Sequence, residues 1–311
     1  MLDLGRLRIL RELRRRGTAG AVAEALGYSP SAVSQQLAQL QREVGVPLVE
    51  RAGRRLRLTA AGEALAGHAD ALLDGARRAE EDARAASGRV TGRVEVVGFQ
   101  TAILHLLAPA LPRLAAAYPD LVVEIHDDEY VRVLQALVQQ EVDLVLSCEY
   151  SHVRAPAHPE LAEEVLFTEP MRLLLPERHP LALAAGPVRL ADLGGATWAT
   201  GHLGTGHADV VASACAELGG FRPDVRQRSN DLLVIFAMVR AGSAAIVPEL
   251  AMEQEPPGVA VRPIAEADVR RRMVLRWRTG ADARPPVRAV LDEVRARAAA
   301  LAAERPALAR E

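Results

Sequence analysis

Apolar residues recur at helical spacing through the first 45 positions. Leu4, Leu7, Leu10 and Leu13 mark a helix that Gly17 ends. Thr18 is placed to cap a short helix, AGAVAEAL, with Ala21, Val22, Ala25 and Leu26 turned inward, and Gly27 then makes a tight turn. In YSPSAVSQQLAQLQREVG, Val33, Leu37, Leu40 and Val44 follow one another at steps of four, three and four, so they share one helix face. Ser29 suits the N-cap, Pro30 the first helical position and Gly45 the stop. The pattern then turns strand-like. PLVERAGRRLRLT predicts a hairpin with strands around 48–50 and 56–58 and a turn near Gly53. From Thr59 to about Ser87 no proline occurs, and Leu65, Ala69, Leu72, Ala76, Ala79, Ala83 and Ala86 alternate steps of four and three, a heptad seam for a partner helix.

After GRVTGRV, which reads as a hinge, strand and helix signals alternate. Strands are expected at 95–98, 121–126, 142–147, 172–175, 197–200, 243–247 and 272–277. Helices are expected at 104–117, 131–140, 207–218, 232–241 and 286–303. The alternation predicts α/β structure with largely parallel sheets, and it holds too many spans for one compact sheet.

Composition sharpens this division. At 311 residues, half of them apolar, the chain has room for two or three units and a sizeable core. All 38 basic residues are arginine, which removes any Schiff-base or phosphate-loop lysine. Residues 1–58 carry 11 Arg against five acids, a net +6, and the remainder carries 27 Arg against 35 acids, a net −8. A basic head on an acidic body is the electrostatic footprint of a nucleic-acid-binding module joined to something else. No apolar run reaches the roughly 18–20 residues of a membrane span, and MLDLGRLRIL lacks the long apolar core of a signal peptide, so a cytoplasmic protein is expected. Cys148 and Cys215 stand 67 positions apart and suggest neither a zinc cluster nor a disulfide framework.

Two short helices joined by a glycine turn predict a helix-turn-helix whose second helix enters a DNA major groove. Its outward residues Ser31, Ser34, Gln35, Ala38 and Arg42 are mostly short donors and acceptors suited to base edges, and the arginine-rich hairpin reads as a wing. In this setting GTAGAVAEALGYSPSAVSQQLAQLQREVG, VGVPLVER and TAAG resemble the LysR-type transcriptional regulators over about the first 65 residues. Carried over by position, that resemblance implies a DNA-binding set of Pro30, Ser31, Ser34 and Gln35, with Arg51 and Arg54 on the wing. The family commonly has Gln-Pro where this chain has Pro30-Ser31, and Arg where it has Gln35, so the operator sequence should differ. The resemblance further implies antiparallel pairing of the 59–87 helices into a dimer, which relatives often build into a tetramer, and an interrupted dyad in double-stranded DNA as the partner.

The family's body has two α/β subdomains of periplasmic-binding-protein type joined by two crossing strands. VRAGSAAIVPEL resembles one of its stretches. The expected division is a winged helix-turn-helix at 1–58, a linker helix at 59–87, an effector-binding domain at 88–305 and a tail at 306–311. Subdomain I would take about 88–164 and 264–305, and subdomain II about 165–263, with crossings near 165–170 and 259–263. An unidentified small-molecule effector is expected where strand ends and helix starts face the intervening crevice. Gln100 and Thr101, Ser147 and Glu149, Thr200 and His202, and Asn230 reach such positions, with Asp231 beside them. In relatives, Thr101 would fall at a ligand-binding position.

Other chemistries find little support. GHLGTGH has phosphate-loop glycines without the spacing or the lysine, and His202 with His207 lacks a supporting metal-ligand cluster. Cys148 has no visible resolving partner, and there is no G-x-S-x-G elbow. No catalysis, cofactor or metal is expected. The competing reading is a cytosolic α/β binding protein or enzyme whose basic head serves assembly only, and salt-dependent DNA binding separates the two.

Overall fold

The computed structural model describes residues 2–52, 55–128, 130–153, 158–252, 256–266 and 269–308. They form two compact units, a head ending at Gly88 and a body beginning at Arg89.

The head opens with α1 (Leu4–Arg16), α2 (Ala19–Leu26) and α3 (Pro30–Val44). The local chemistry that ends each helix is as the residues demand. Gly17, Gly27 and Gly45 take the left-handed conformation, while the Thr18 and Ser29 hydroxyls accept from Ala21 N and Ala32 N. Ile9, Leu10, Leu13, Val22, Ala23, Val33, Leu37 and Leu40 are buried in one core. In α2 it is Ala23 that turns inward and Ala25 that is exposed, because the short helix rests on α1 and α3 over a narrower arc than its alanines suggest. The antiparallel hairpin of β1 (Val49–Ala52) and β2 (Arg55–Leu58) leads into α4 (Ala60–Ala86). Thr59 caps that helix through Gly62 N, and its own hydroxyl donates to Pro47 O. Ala66 and Ala69 of α4 are buried, whereas Leu72 is 44% exposed.

The body contains β3 (Gly92–Gly98), α5 (Gln100–Ala102), a π-helical turn (Ile103–Leu107), α6 (Ala108–Ala117), β4 (Leu121–Asp127), α7 (Tyr130–Val138) and β5 (Leu144–Tyr150). There follow β6 (Leu161–Pro176), α8 (Pro180–Leu183), β7 (Thr197–Thr200), α9 (Gly206–Glu217), β8 (Asp224–Arg228), α10 (Leu232–Arg240) and β9 (Ala245–Pro248). The chain closes with β10 (Val259–Pro263), β11 (Arg270–Arg278) and α11 (Pro285–Glu304). The 16-residue β6 serves two lobes. From Leu161 to Pro170 it pairs with β11, and from Met171 onward it pairs with β9 and β10. Lobe I is thus β6, β11, β5, β3 and β4, and lobe II is β10, β6 and β9 extended through a Trp198–Ala244 bridge to β7 and β8. Each lobe has its own core, one around Phe167, Leu106 and Leu291, the other around Trp198, Val211 and Ile246.

The body's sheets and its second crossing also differ from the sequence reading. The sheets are mixed rather than largely parallel: β11 runs antiparallel to β5 and β6, and β6 antiparallel to β9 and β10, while β3–β4, β3–β5 and β7–β8 pair in parallel. An outgoing and a returning connection laid side by side must run in opposite directions. The second crossing also falls later, between Pro263 and the start of β11 at Arg270, because Val259–Pro263 is an edge strand held against Arg172–Pro176 inside lobe II.

Candidate functional site

In the head, the buried stripe of α3 leaves Pro30, Ser31, Ser34 and Gln35 exposed on the same helix. Ser34 donates its hydroxyl proton to Pro30 O at 3.0 Å, which leaves its lone pairs for an outside donor. Ser29 and Ser31 share a hydroxyl contact of 2.9 Å. Farther along, Arg42 is tied to Gln39 and Gln39 to Glu43, so the C-terminal half of this surface is engaged within the helix. Arg51 belongs to β1, its side chain is outside the described residues, and so is Arg54 altogether.

In the body, the candidates separate into distinct surroundings. Gln100, His202 and Asn230 are exposed where lobe I faces lobe II, and Gln100 Oε1 accepts from Leu232 N across that gap at 3.4 Å. Thr101, Ser147 and Thr200 are buried. Thr200 donates to His207 O, and Asn230 Oδ1 accepts from His202 N, so this loop is knit to itself. Ser147 and Glu149 project from the other face of β5, away from Thr101, because side chains alternate along a strand. There Arg276 bonds Ser147 and Glu149, Arg272 bonds Glu149, and Arg276 Nε reaches Glu163 at 2.9 Å. The structure therefore does not bring these two residues to the crevice side with Thr101.

Thr101 instead leads to residues that the sequence reading missed. Its hydroxyl accepts from Arg271 Nη2 at 2.9 Å, and Arg271 Nε donates to Glu169 Oε1 at 2.9 Å. Arg271 and Glu169 are 3% and 0% exposed, a desolvated ion pair that holds the guanidinium firmly protonated. The Phe99 ring lies 5.1 Å from Arg271 Cζ. The second Glu169 oxygen accepts from Leu250 N at 2.8 Å, and Leu250 O meets His105 Nε2 at 2.8 Å. His105 lies in the π turn, where Ala108 N reaches back to Ile103 O. Pro109 has no N–H for the His105 carbonyl, and Arg297 Nε fills that place at 3.1 Å. These contacts tie the start of the crevice helix to the crossing strands. Arg271 was hidden in RRRM: nothing local says which arginine of an alternating strand faces inward, although period two does put 271, 273, 275 and 277 on one side.

His207 and Tyr150 complete the floor. Gly206 leaves room for the Tyr150 ring, since a Cβ there would lie 3.0 Å from it. His207 Nδ1 accepts from Gly201 N at 3.1 Å and Nε2 donates to Ile246 O at 2.7 Å. Both nitrogens are engaged, so no lone pair remains for a metal, and burial holds the imidazole pKa below its ordinary value. The unfolded chain therefore takes up a proton near pH 6.5 that the folded chain refuses, and stability contributed by neutral His207 is lost as pH falls below that value. Going from about pH 7.5 to about pH 5.5, the body should lose less denaturant resistance in His207→Gln than in the parent. Equal losses in the two proteins would rule this out. The thiols are poor nucleophiles: burial raises the Cys148 pKa and pushes Cys215 up to about 12.

Comparison with known proteins bears on both units. The family model described as bacterial regulatory helix-turn-helix protein, lysR family, matches residues 4–63, and that of the LysR substrate binding domain matches residues 87–299. The hydrogen peroxide-inducible genes activator of Escherichia coli is 29% identical over 280 residues, covering 88% of this chain and 89% of the relative. Among solved structures, a full-length OxyR variant from Pseudomonas aeruginosa superposes with a TM-score of 0.68 at 24% identity, covering 95% of this chain and 98% of that one. Full-length CbnR in complex with its target DNA gives 0.59 at 22% identity, covering 95% and 100%. At these identities the two structures share the fold. No helix among the described residues is long and apolar enough to cross a membrane.

Proposed function

This chain belongs to the LysR family of DNA-binding transcriptional regulators, and from that premise we propose that Ser34 and Gln35 read bases while Pro30, Ser31 and the wing arginines Arg51 and Arg54 follow the backbone. The observation that carries this is the short, exposed polar face of α3 opposite its buried stripe. Gln favours adenine, so the half-site should hold adenine where relatives with Arg would meet guanine. Gln35→Ala and Ser34→Ala should each cost about 1–3 kcal/mol on a duplex selected by the parent protein and much less on random duplex. Equal losses on both duplexes would remove base reading from these positions.

Two heads joined through the exposed Leu72 side of α4 would read the two halves of a dyad, in the cytoplasm where the DNA is. The effector enters between the lobes, against Gln100, His202 and Asn230, with Thr101 and Arg271 behind them. Glu149 is paired with two arginines, whereas Asp231, which caps α10 through Leu233 N, is exposed beside Asn230 and favours a neutral or mixed polar effector over a polyanion. The peroxide response named for the Escherichia coli relative is not part of this reading, since burial raises both thiol pKa values and disfavours the reactive thiolate. Ligand binding that favours one lobe arrangement would then bias operator binding by linkage.

A further inference from the structure

Three segments of the head meet at Leu48: the last turn of α3, the entry to the wing, and the start of α4. We propose that Gln41, which lies two turns beyond Ser34, is a positioning residue that fixes the wing against the recognition helix. It rests on the reading of the head as a DNA-binding module.

Gln41 Oε1 accepts from Leu48 N at 2.9 Å and from Val49 N at 3.1 Å. An amide oxygen has two lone pairs and can take two successive N–H groups, which no aliphatic side chain can do. From the other side, Thr59 N donates to Leu48 O at 3.0 Å, and the Thr59 hydroxyl donates to Pro47 O at 2.7 Å. The Leu48 side chain, 1% exposed, fills the same core as Leu37 and Leu40 of the recognition helix. The backbone of 47–49 is therefore gripped through both its donors and its acceptors, and the wing strand β1 starts at Val49, the last of the three. Hydrophobic packing of Leu48 sets its depth, but only the paired hydrogen bonds fix the direction in which the strand leaves. Gln41 reaches no base in this role. It makes the groove-reading helix and the phosphate-following wing one rigid reader, so the spacing between a base contact and its flanking phosphate contact is set by this side chain.

The full-length chain tests this in four forms, the parent, Gln41→Met, Gln41→Glu and Gln41→Ala. Each is titrated over a salt series with random duplex and with a duplex selected by the parent from a random pool. Gln41→Met keeps the length and removes the acceptor. It should bind both duplexes about tenfold more weakly, the worth of one net hydrogen bond. Its salt slope should flatten by about one phosphate contact and its footprint should lose the wing flank, while base preferences that depend on Gln35 persist. Amide exchange should quicken at Leu48 and Val49. Gln41→Glu keeps a double acceptor and should restore both the exchange protection and the footprint flank. Gln41→Ala admits water to the two N–H groups and supplies the same slope measurement if Gln41→Met unfolds the head. A parent-like salt slope and footprint in Gln41→Met or Gln41→Ala, or a Gln41→Glu protein as impaired as Gln41→Met, overturns the positioning role. Failure of the parent to bind either duplex overturns the DNA reading and this inference together.

Discussion

Gly62→Ala is expected to strip the DNA-binding head of most of its stability while leaving that of the body unchanged. A Cβ at this position would lie 2.0 Å from Leu48 O and 3.0 Å from Leu48 C, and real Cβ atoms do not approach backbone that closely. The obstacle is the carbonyl that accepts from Thr59 N, so neither side can yield without breaking the cap of α4. Glycine is required here for close approach rather than for an unusual φ. Relieving the clash should cost about 3 kcal/mol, the upper end for added bulk in a packed site, in a small domain whose whole stability is near 5 kcal/mol. Both tryptophans, Trp198 and Trp277, belong to the body. Their fluorescence therefore follows the body alone, while far-ultraviolet circular dichroism also follows the helical head. In urea, Gly62→Ala should show an early loss of dichroism and an unshifted tryptophan transition, with operator binding lost at a lower urea concentration than in the parent. Coincident, parent-like transitions would show that α4 can move off Leu48 at little cost.

The same glycine shows what was legible in the sequence. TAAG resembled the start of the linker helix, and the helix starts there, but the reason for its glycine lies in a carbonyl 14 residues earlier. Local chemistry was readable: Gly17, Thr18, Ser29, Pro30 and Gly45 each act on their own turn, and their roles follow from side-chain type and neighbours alone. Non-local pairing was not. Residues 172–175 read correctly as a strand, yet β6 runs from Leu161 through a proline at position 170, and only its two successive partners show why it continues. Ser147 and Glu149 looked like crevice residues because they end a strand, whereas the alternation of β5 sends them to the opposite face with Arg276. Thr101 was placed at the crevice by its strand-to-helix position and by resemblance. Its partner Arg271 lies 170 positions away among other arginines, where composition cannot tell an inward side chain from an outward one.

That partner carries the second large effect. Arg271→Met or Glu169→Leu alone should destabilise the body by about 3–5 kcal/mol, because each leaves a buried, unpaired charge. Glu169 stands at the end of the lobe I pairing of β6, opposite Arg271, and Met171 begins the pairing with lobe II, so the ion pair sits where both crossing strands pass. Removing both charges together should cost much less than the sum of the singles, since well-packed apolar residues replace a desolvated pair at little net loss. The double variant should still fall below the parent. Leu250 N would lose its acceptor and Thr101 its donor, and an unpaired buried group costs about 1–3 kcal/mol. Leu250 also plugs the lobe I core from the turn that follows β9, so this residual loss should appear as faster exchange around residues 249–251 before global unfolding. Tryptophan-monitored urea melts of the four proteins give the coupling directly. A double variant as unstable as the two singles added together would mean that Arg271 and Glu169 contribute independently, and that packing rather than charge pairing holds the crossing.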